Sequence, residues 1–320
     1  MDLIKRLTGF RKMAEPKVSI LMNCYNGEKF LKSSIESVLS QSFTDWELVF
    51  WDNRSTDSSA AIYNSYDDPR MRYILAPKHT DLGGARAAAI QHLRGEFFGI
   101  LDSDDLWLPD KLARQIGVFE NKEVGIVISD TSFFNDITEK VLYGSYPPPT
   151  GKVTVALLEK YFISLETVLL RKTFLEKLPY MFDPDFSFIA DFDLIFRLSQ
   201  ISELAYCNEV LAKWRVHPNS ESWLHVERFA LEKERWIKKQ LEINDKLMDL
   251  PGNIIANFIT KNSRQLAIMD LYKGNRIKAM KSVTKTGMKK GMDWLGLIAC
   301  LAPLSVTFVR WWKKRKASLA

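Results

Sequence analysis

Between Pro16 and about Ser129, short unbroken apolar runs alternate with stretches in which apolar residues recur every three or four positions. Val18–Met22 is an apolar run that reads as a strand, and Phe30, Leu31, Ile35, Val38 and Leu39 follow at helical spacing. Glu47–Trp51 and Arg72–Leu75 read as further strands, Gly83-Gly84-Ala85-Arg86 opens a helix, and Phe97–Leu101 is a strand buried on both faces. A helix from Pro109 to about Asn121 and a β-branched run, Val124–Ser129, complete the series. Strands alternating with helices of this length predict an α/β fold whose sheet is mostly parallel and flanked by helices.

The pattern changes at both ends of the chain. Leu3, Ile4, Leu7 and Phe10 fall on one helical face within residues 1–15, ringed by Lys5, Arg6, Arg11 and Lys12, as in an amphipathic helix on a membrane or a frayed terminus. From residue 223 to 292 the periodicity is helical, which predicts a helical appendage after a domain spanning 16–222. Within 293–320, Trp294–Val309 runs for sixteen residues without a charge and is followed by Arg310-Trp311-Trp312-Lys313-Lys314-Arg315-Lys316. As a helix such a run covers only about 24 Å of a roughly 30 Å hydrocarbon core. Pro303 also interrupts it. An interfacial or re-entrant segment is therefore favoured over a span, with a helical hairpin closing the core as the soluble alternative.

Charge sharpens this division. Residues 273–320 hold twelve Lys or Arg against one acid, a surplus of eleven; the whole chain is +6, so residues 1–272 carry −5. A basic tail on a mildly acidic body suits an anionic surface. No recognised nucleic-acid module accompanies it, so the membrane is preferred and no nucleic-acid partner is expected. Cys24, Cys207 and Cys300 match no metal or redox spacing, and no secretory signal precedes the first strand. Together these place the chain at the cytoplasmic face of a membrane, in a reducing compartment.

Candidate chemistry gathers where three strands end. Tyr25 and Asn26 follow the first strand, Asp52 ends the second, and Asp102-Ser103-Asp104-Asp105 follows Phe97–Leu101. In an open α/β sheet, ligands bind outside the carboxyl ends of the strands. Three carboxylates this close repel unless a cation sits among them, although an acidic loop capping the next helix is the plainer reading. No G-x-G-x-x-G follows the first strand and no phosphate-binding P-loop motif occurs, so neither a dinucleotide nor a P-loop triphosphate is indicated.

Five blocks, in order, resemble glycosyltransferase family 2, the inverting sugar transferases of GT-A (Rossmann-like) fold. They are VSILMNCYNGEKFLKSSIESVLSQSFTDWELVFWDNRSTD, GGARAAAIQHLRGEFFGILDSDDLWLPDKL, TVLLRKTFLEKL, ADFDLIFRL and WRVHPNSES, between Lys17 and about Ser222. The resemblance implies that Cys24, Tyr25, Asn26 and Asp52 hold the nucleotide base and ribose. Tyr25 offers a flat face and Asp52 an acceptor for a pyrimidine N–H. It implies that Arg86 and Asp102 lie at the donor phosphates. Asp104, assisted by Asp102 and by His217, would hold Mn²⁺ or Mg²⁺, with Asp105 capping the next helix or lying behind these ligands. Asp191 would be the catalytic base of an inverting transfer. Plainer roles exist for each: a core aromatic for Tyr25, a surface ion pair for Arg86, a helix-capping pair for Asp191 and Asp193, a structural imidazole for His217.

Three departures from the family pattern stand out: Asn53 and Arg54 where an aspartate and a glycine are common, Ala87 for an asparagine, and Ala190 for the glutamate that often precedes the base. The resulting expectation is metal-dependent, inverting transfer of a sugar from a nucleoside diphosphate donor, a UDP-sugar first, to a glycan or lipid-linked acceptor in cell-surface polysaccharide, lipopolysaccharide or glycolipid synthesis. The rival readings are a non-catalytic sugar-nucleotide-binding scaffold at the membrane and a sugar nucleotidyltransferase.

Overall fold

A computed structural model describes residues 15–284, apart from 219, 221–224, 245, 246 and 248. The expected amphipathic segment at residues 1–13 and the apolar, basic-ended segment at 293–320 lie outside the described residues. In chain order the elements are β1 (Val18–Cys24), α1 (Glu28–Leu39), β2 (Trp46–Asp52), α2 (Ser59–Asn64), β3 (Met71–Leu75), α3 (Leu82–Ala89), β4 (Phe97–Ile100), β5 (Leu106–Trp107) and α4 (Lys111–Val118). Then come β6 (Val124–Phe134), β7 (Glu139–Val141), α5 (Thr154–Glu159), β8 (Leu169–Arg171), α6 (Lys172–Leu175), α7 (Ala190–Ser199), β9 (Glu203–Arg215), α8 (Val226–Ile243), α9 (Gly252–Tyr272) and α10 (Arg276–Thr284).

The apolar runs of β1 and β2 are buried at every residue, which is why neither shows an alternating pattern. The sheet runs β3-β2-β1-β4-β8-β6-β9-β5, with β7 on the side of β6. The expected α/β architecture and its parallel run are present in β3-β2-β1-β4. The other half is mixed, a correction to the mostly parallel expectation: β8 pairs antiparallel with both β4 and β6, β9 parallel with β6, and β5 antiparallel with β9. Among the described residues, half of the pairings are antiparallel.

The contacts divide the described chain into two units, the first made of residues up to 153 with 162–216, the second of 154–161 with those from 217 onward. The second unit is helical. Within it α5 lies against α9, where Lys261 Nζ donates to the Glu159 carbonyl at 2.8 Å. Trp236 of α8, fully buried, meets the Phe258 ring of α9 at 5.5 Å, and Asn262 Nδ2 donates to the Ala230 carbonyl at 2.8 Å. Ala267, Leu271 and Ala279 close α9 onto α10. No helix among the described residues is long and apolar enough to cross a membrane.

Candidate active site

Register brings the three polar strand ends together. Cys24 lies opposite Asp52, and Asp52 opposite Leu75; the ladder extends through Asn53 N–H to the Cys24 carbonyl at 2.8 Å and Ala76 N–H to the Asp52 carbonyl at 2.8 Å. Leu101 N–H donates to the Leu21 carbonyl at 3.0 Å, so the acidic turn leaves the sheet at the same edge.

That turn is shaped by what lies beside it. Gly99 has no side chain, and the Trp107 ring covers it: a β-carbon at 99 would come within 2.7 Å of the indole. Trp107 Nε1 donates to the Glu166 carbonyl at 2.8 Å, which anchors β5 and leaves Asp102–Asp105 as a tight loop between β4 and β5. Asp105 N–H closes the loop onto the Asp102 carbonyl at 3.2 Å.

The nucleotide-side residues interlock. Asn26 has φ 53°, a left-handed conformation that asparagine tolerates, and its Oδ1 accepts from Thr56 N–H at 2.8 Å. Cys24 is buried; burial pushes its thiol up, so it is a wall of the site rather than a nucleophile. Tyr25 is half-exposed, its ring 4.2 Å from that of His79 and tilted by 42°. His79 Nδ1 lies 2.9 Å from the Asn53 carbonyl, an acceptor, so Nδ1 is the donor of this bond. Asn53 also bonds both ways with the Thr80 backbone, at 2.7 and 3.2 Å, so the neutral residue in place of the common aspartate ties two loops together. Asp52 is 1% exposed and accepts from Tyr73 Oη at 2.5 Å and from Ser55 N–H at 2.7 Å. An N–H of a base reaches this carboxylate only if Tyr73 gives way.

On the phosphate side, α3 begins at Asp81, whose carboxylate accepts from Gly84 N–H at 3.1 Å. Arg86, one turn in, is buried and grips both oxygens of Asp102 at 2.7 and 3.0 Å. Asp102 keeps 37% of its side chain exposed, and Asp104 is partly exposed beside it. Asp105 points inward. Burial pushes its carboxyl well above the carboxylate range, and Asp104, Glu166 and Asp102 push it further. Burial likewise raises Glu166. Asp105 does not cap α4; it accepts from Arg215 N–H at 2.8 Å.

Asp191 lies in the first turn of α7, partly exposed. Its neighbour Asp193 is buried and salt-bridged to Arg197 at 2.6 Å, so the two aspartates are not a capping pair. The segment leading into α7 rests on the start of α3. Gly83 N–H donates to Ser187 Oγ at 3.1 Å, and a β-carbon at Gly83 would collide with the Phe186 carbonyl. Gly83 lies three residues before Arg86 on the chain, and Ser187 four before Asp191. His217 opens the second stretch of the second unit, where its N–H donates to Ser220 Oγ at 3.3 Å.

Among the described residues no three His, Cys, Asp or Glu side chains form a ready-made metal cage. Mg²⁺ and Mn²⁺ need none. They take one or two carboxylates and complete their shells with water and substrate phosphate oxygens. Asp102 and Asp104, hard oxygen donors at the open side of the turn, fit that demand. His79, Tyr73, Glu166 and Arg215 are absent from the sequence-based site; only Arg215 fell inside a quoted block, and loop-to-loop contacts across the edge leave no local pattern for the others.

Residues 19–178 match the family described as Glycosyl transferase family 2. The chain is 28% identical over 221 residues to UDP-Glc:alpha-D-GlcNAc-diphosphoundecaprenol beta-1,3-glucosyltransferase WfgD of Escherichia coli, covering 68% of this chain and 83% of WfgD. It is 36% identical to the putative glycosyltransferase EpsE of Bacillus subtilis over 108 residues, 33% of this chain and 39% of EpsE. Among solved structures, S. aureus TarS superposes with TM-score 0.63 at 16% identity, over 92% of this chain and 52% of TarS. The mannosyltransferase PcManGT of Pyrobaculum calidifontis, in complex with GDP-Man and Mn²⁺, superposes with TM-score 0.60 at 17% identity, over 95% and 85%. Those likenesses carry the fold, and the match over half the chain carries the family: this protein is a glycosyltransferase of family 2, built on the GT-A fold.

Proposed function

We propose that the protein transfers a sugar, with inversion, from a UDP-sugar to a lipid-linked glycan acceptor at the cytoplasmic face of a membrane. The observation that supports this reading is the buried Arg86 gripping both oxygens of the part-exposed Asp102 at the strand-end edge, while the segment that leads to Asp191 at the head of α7 packs on the start of α3 through Gly83 and Ser187. The name of WfgD, a UDP-Glc transferase acting on a diphosphoundecaprenol acceptor, supports the donor and acceptor classes. TarS structures in complex with UDP and with UDP-GlcNAc support the nucleotide. Residues 1–13 and 294–316 supply the basic and apolar surface for the membrane.

In this mechanism Tyr25, backed by His79, faces the base, with Asn26 holding the loop beside the ribose. Arg86 and the start of α3 face the diphosphate, where a cation and a helix N-terminus both favour anionic oxygen. Asp104 and Asp102 would hold Mn²⁺ or Mg²⁺, which when bound would supply positive charge for the departing diphosphate. Asp191 takes the proton of the acceptor hydroxyl as its oxygen bonds to the anomeric carbon and the bond from that carbon to the phosphate oxygen breaks. The nucleoside diphosphate leaves from the opposite face of the sugar.

The test is transfer from UDP-sugars to diphosphoundecaprenol-linked N-acetylglucosamine with Mn²⁺, in wild type, Asp191→Asn and Asp104→Ala. Product with the wild type and a drop of about 10²–10⁴-fold in kcat for Asp191→Asn is expected, the range for a lost general base. Retained turnover in Asp191→Asn would overturn its role. UDP binding without transfer to any lipid-linked acceptor would favour the non-catalytic scaffold.

A further inference from the structure

Arg215 ends β9, 110 residues after Asp105, and makes contacts to both acidic neighbours at once. Its backbone N–H donates to Asp105 Oδ1 at 2.8 Å, and its side-chain Nε donates to the Asp104 carbonyl at 2.8 Å. Nη2 reaches Ser33 Oγ of α1 at 3.2 Å. The guanidinium lies between two aromatic rings, its carbon 4.5 Å from the centre of Phe30 and 4.6 Å from that of Phe134.

Guanidinium groups are always charged and ordinarily pair with carboxylates. Among the described residues Arg215 forms no ion pair, although it touches two aspartates of the acidic turn, each bond using a backbone group on one side. Its donors go to a carbonyl and a hydroxyl. The rings hold the plane of the fork, and the fork holds the peptide that carries Asp104. Three carboxylates in four residues repel and tend to splay the turn. A fixed carbonyl at 104, with the side chain of 105 tethered inward, leaves the Asp104 carboxylate little choice of direction.

We propose that Arg215 is a positioning residue of the acidic turn: by clamping the Asp104 carbonyl it aims the Asp104 carboxylate and so sets the affinity of the site for a divalent cation. The proposal rests on the reading of Asp104 as a metal ligand. It differs from charge compensation, because a cation merely placed near the turn weakens cation binding, whereas a clamp strengthens it.

The experiment measures Mn²⁺ binding to the full chain in the presence of UDP, by electron paramagnetic resonance of free Mn²⁺, in wild type, Asp104→Ala, Arg215→Ala, Arg215→Lys and Ser33→Ala. Wild-type binding that disappears in Asp104→Ala establishes the ligand. Removing a group that orients a metal ligand weakens affinity by about 10–100-fold. The Mn²⁺ Kd is expected to rise by that factor in Arg215→Ala, less in Arg215→Lys, which cannot reach Asp104 and Ser33 together, and least in Ser33→Ala. At saturating Mn²⁺, kcat of Arg215→Lys returns to within a few-fold of wild type. Should Arg215→Ala fail to fold by circular dichroism, the lysine variant decides. Unchanged or tighter Mn²⁺ binding in Arg215→Lys, or a kcat loss that excess Mn²⁺ does not restore, overturns the clamp. No Mn²⁺ binding by the wild type overturns the metal reading itself.

Discussion

The two ends of the parallel strands handle charge in opposite ways. Near the amino end of β2, Glu47 is 3% exposed yet accepts from Ser19 Oγ at 2.6 Å, from Arg94 at 2.5 and 3.0 Å, and from Arg72 at 2.9 Å. Burial alone would push its carboxyl up; the bonds from Arg94, Ser19 and Arg72 more than reverse that and leave it below its ordinary value. At the carboxyl end, Asp102, Asp104, Asp105 and Glu166 crowd together, with Arg86 on Asp102 and the buried Lys111 amine over the Trp107 ring. There, burial and like charge drive Asp105 upward unopposed except by one N–H. A carboxylate fully supplied with donors is a structural element. A surplus of carboxylates at a sheet edge is a demand for a cation, and the same sheet shows both.

The largest test of this contrast is to neutralise one acid at each end. Asp102→Asn is expected to lower kcat/KM by about 10²-fold or more, the scale of one lost electrostatic contact in a transition state. Its unfolding midpoint in urea falls less than that of Glu47→Gln, because relief of repulsion in the turn offsets part of the lost pairing with Arg86. Glu47→Gln is expected to do the reverse, lowering stability by about 2–3 kcal/mol, below the full penalty for breaking a buried pair because both arginines keep partial solvent contact. Its kcat in the folded protein is unchanged. If both substitutions act on stability alone, the contrast fails.

Lys111 gives a test by pH. It is fully buried over the Trp107 ring, bonded to Gln115 Oε1 at 2.5 Å, and burial pulls its amine from 10.5 down to about 7. Between about 7 and 10.5 the unfolded chain holds a proton that the folded chain has released, so this group makes stability rise with pH across that window. The rise reaches at most about 1.4 kcal/mol per pH unit, and below pH 7 the cost of the buried charge is present in full. Urea unfolding at pH 6.5, 8 and 9.5 should show the rise in wild type and lose it in Lys111→Met. Equal slopes in the two proteins would mean that the amine stays charged and paired inside the fold.

The smallest expected effect concerns Tyr25. Tyr25→Ala removes one stacking face and should weaken UDP binding by about 1 kcal/mol, the lower end for base–aromatic stacking, with kcat little changed. Thermal shift with UDP reads this directly. A larger loss would mean that His79 depends on Tyr25 for its place.

The parallel half of the fold was legible because β1, β2 and β4 are largely apolar runs bounded by turn residues and separated by stretches of helical spacing. The antiparallel half was not. β9 carries no clean alternation from Glu203 to Arg215, because its pairing with β6 shifts register at Ser129/Asp130 and again at Asp130/Thr131. β5 is two residues long and sits inside what reads as a helix start. At the candidate site, Tyr25, Asn26, Asp52 and Asp102 were legible because strand ends converge on one edge, and Arg86 only through the family resemblance. Asp52 was placed there, but that its carboxylate is closed by Tyr73 depends on a contact between neighbouring strands that no sequence spacing records. Glu166 and Arg215 meet the acidic turn from far along the chain, and only packing reveals them.

The junction at Gly83 also bears on how such enzymes can be recombined. Residues 184–187 lie on a helix start a hundred positions earlier, in a space that exists because one β-carbon is missing. A hybrid taking its first hundred residues from one relative and the segment leading into α7 from another must therefore inherit a bare backbone at 83, or the head of α7 will be pushed off the start of α3.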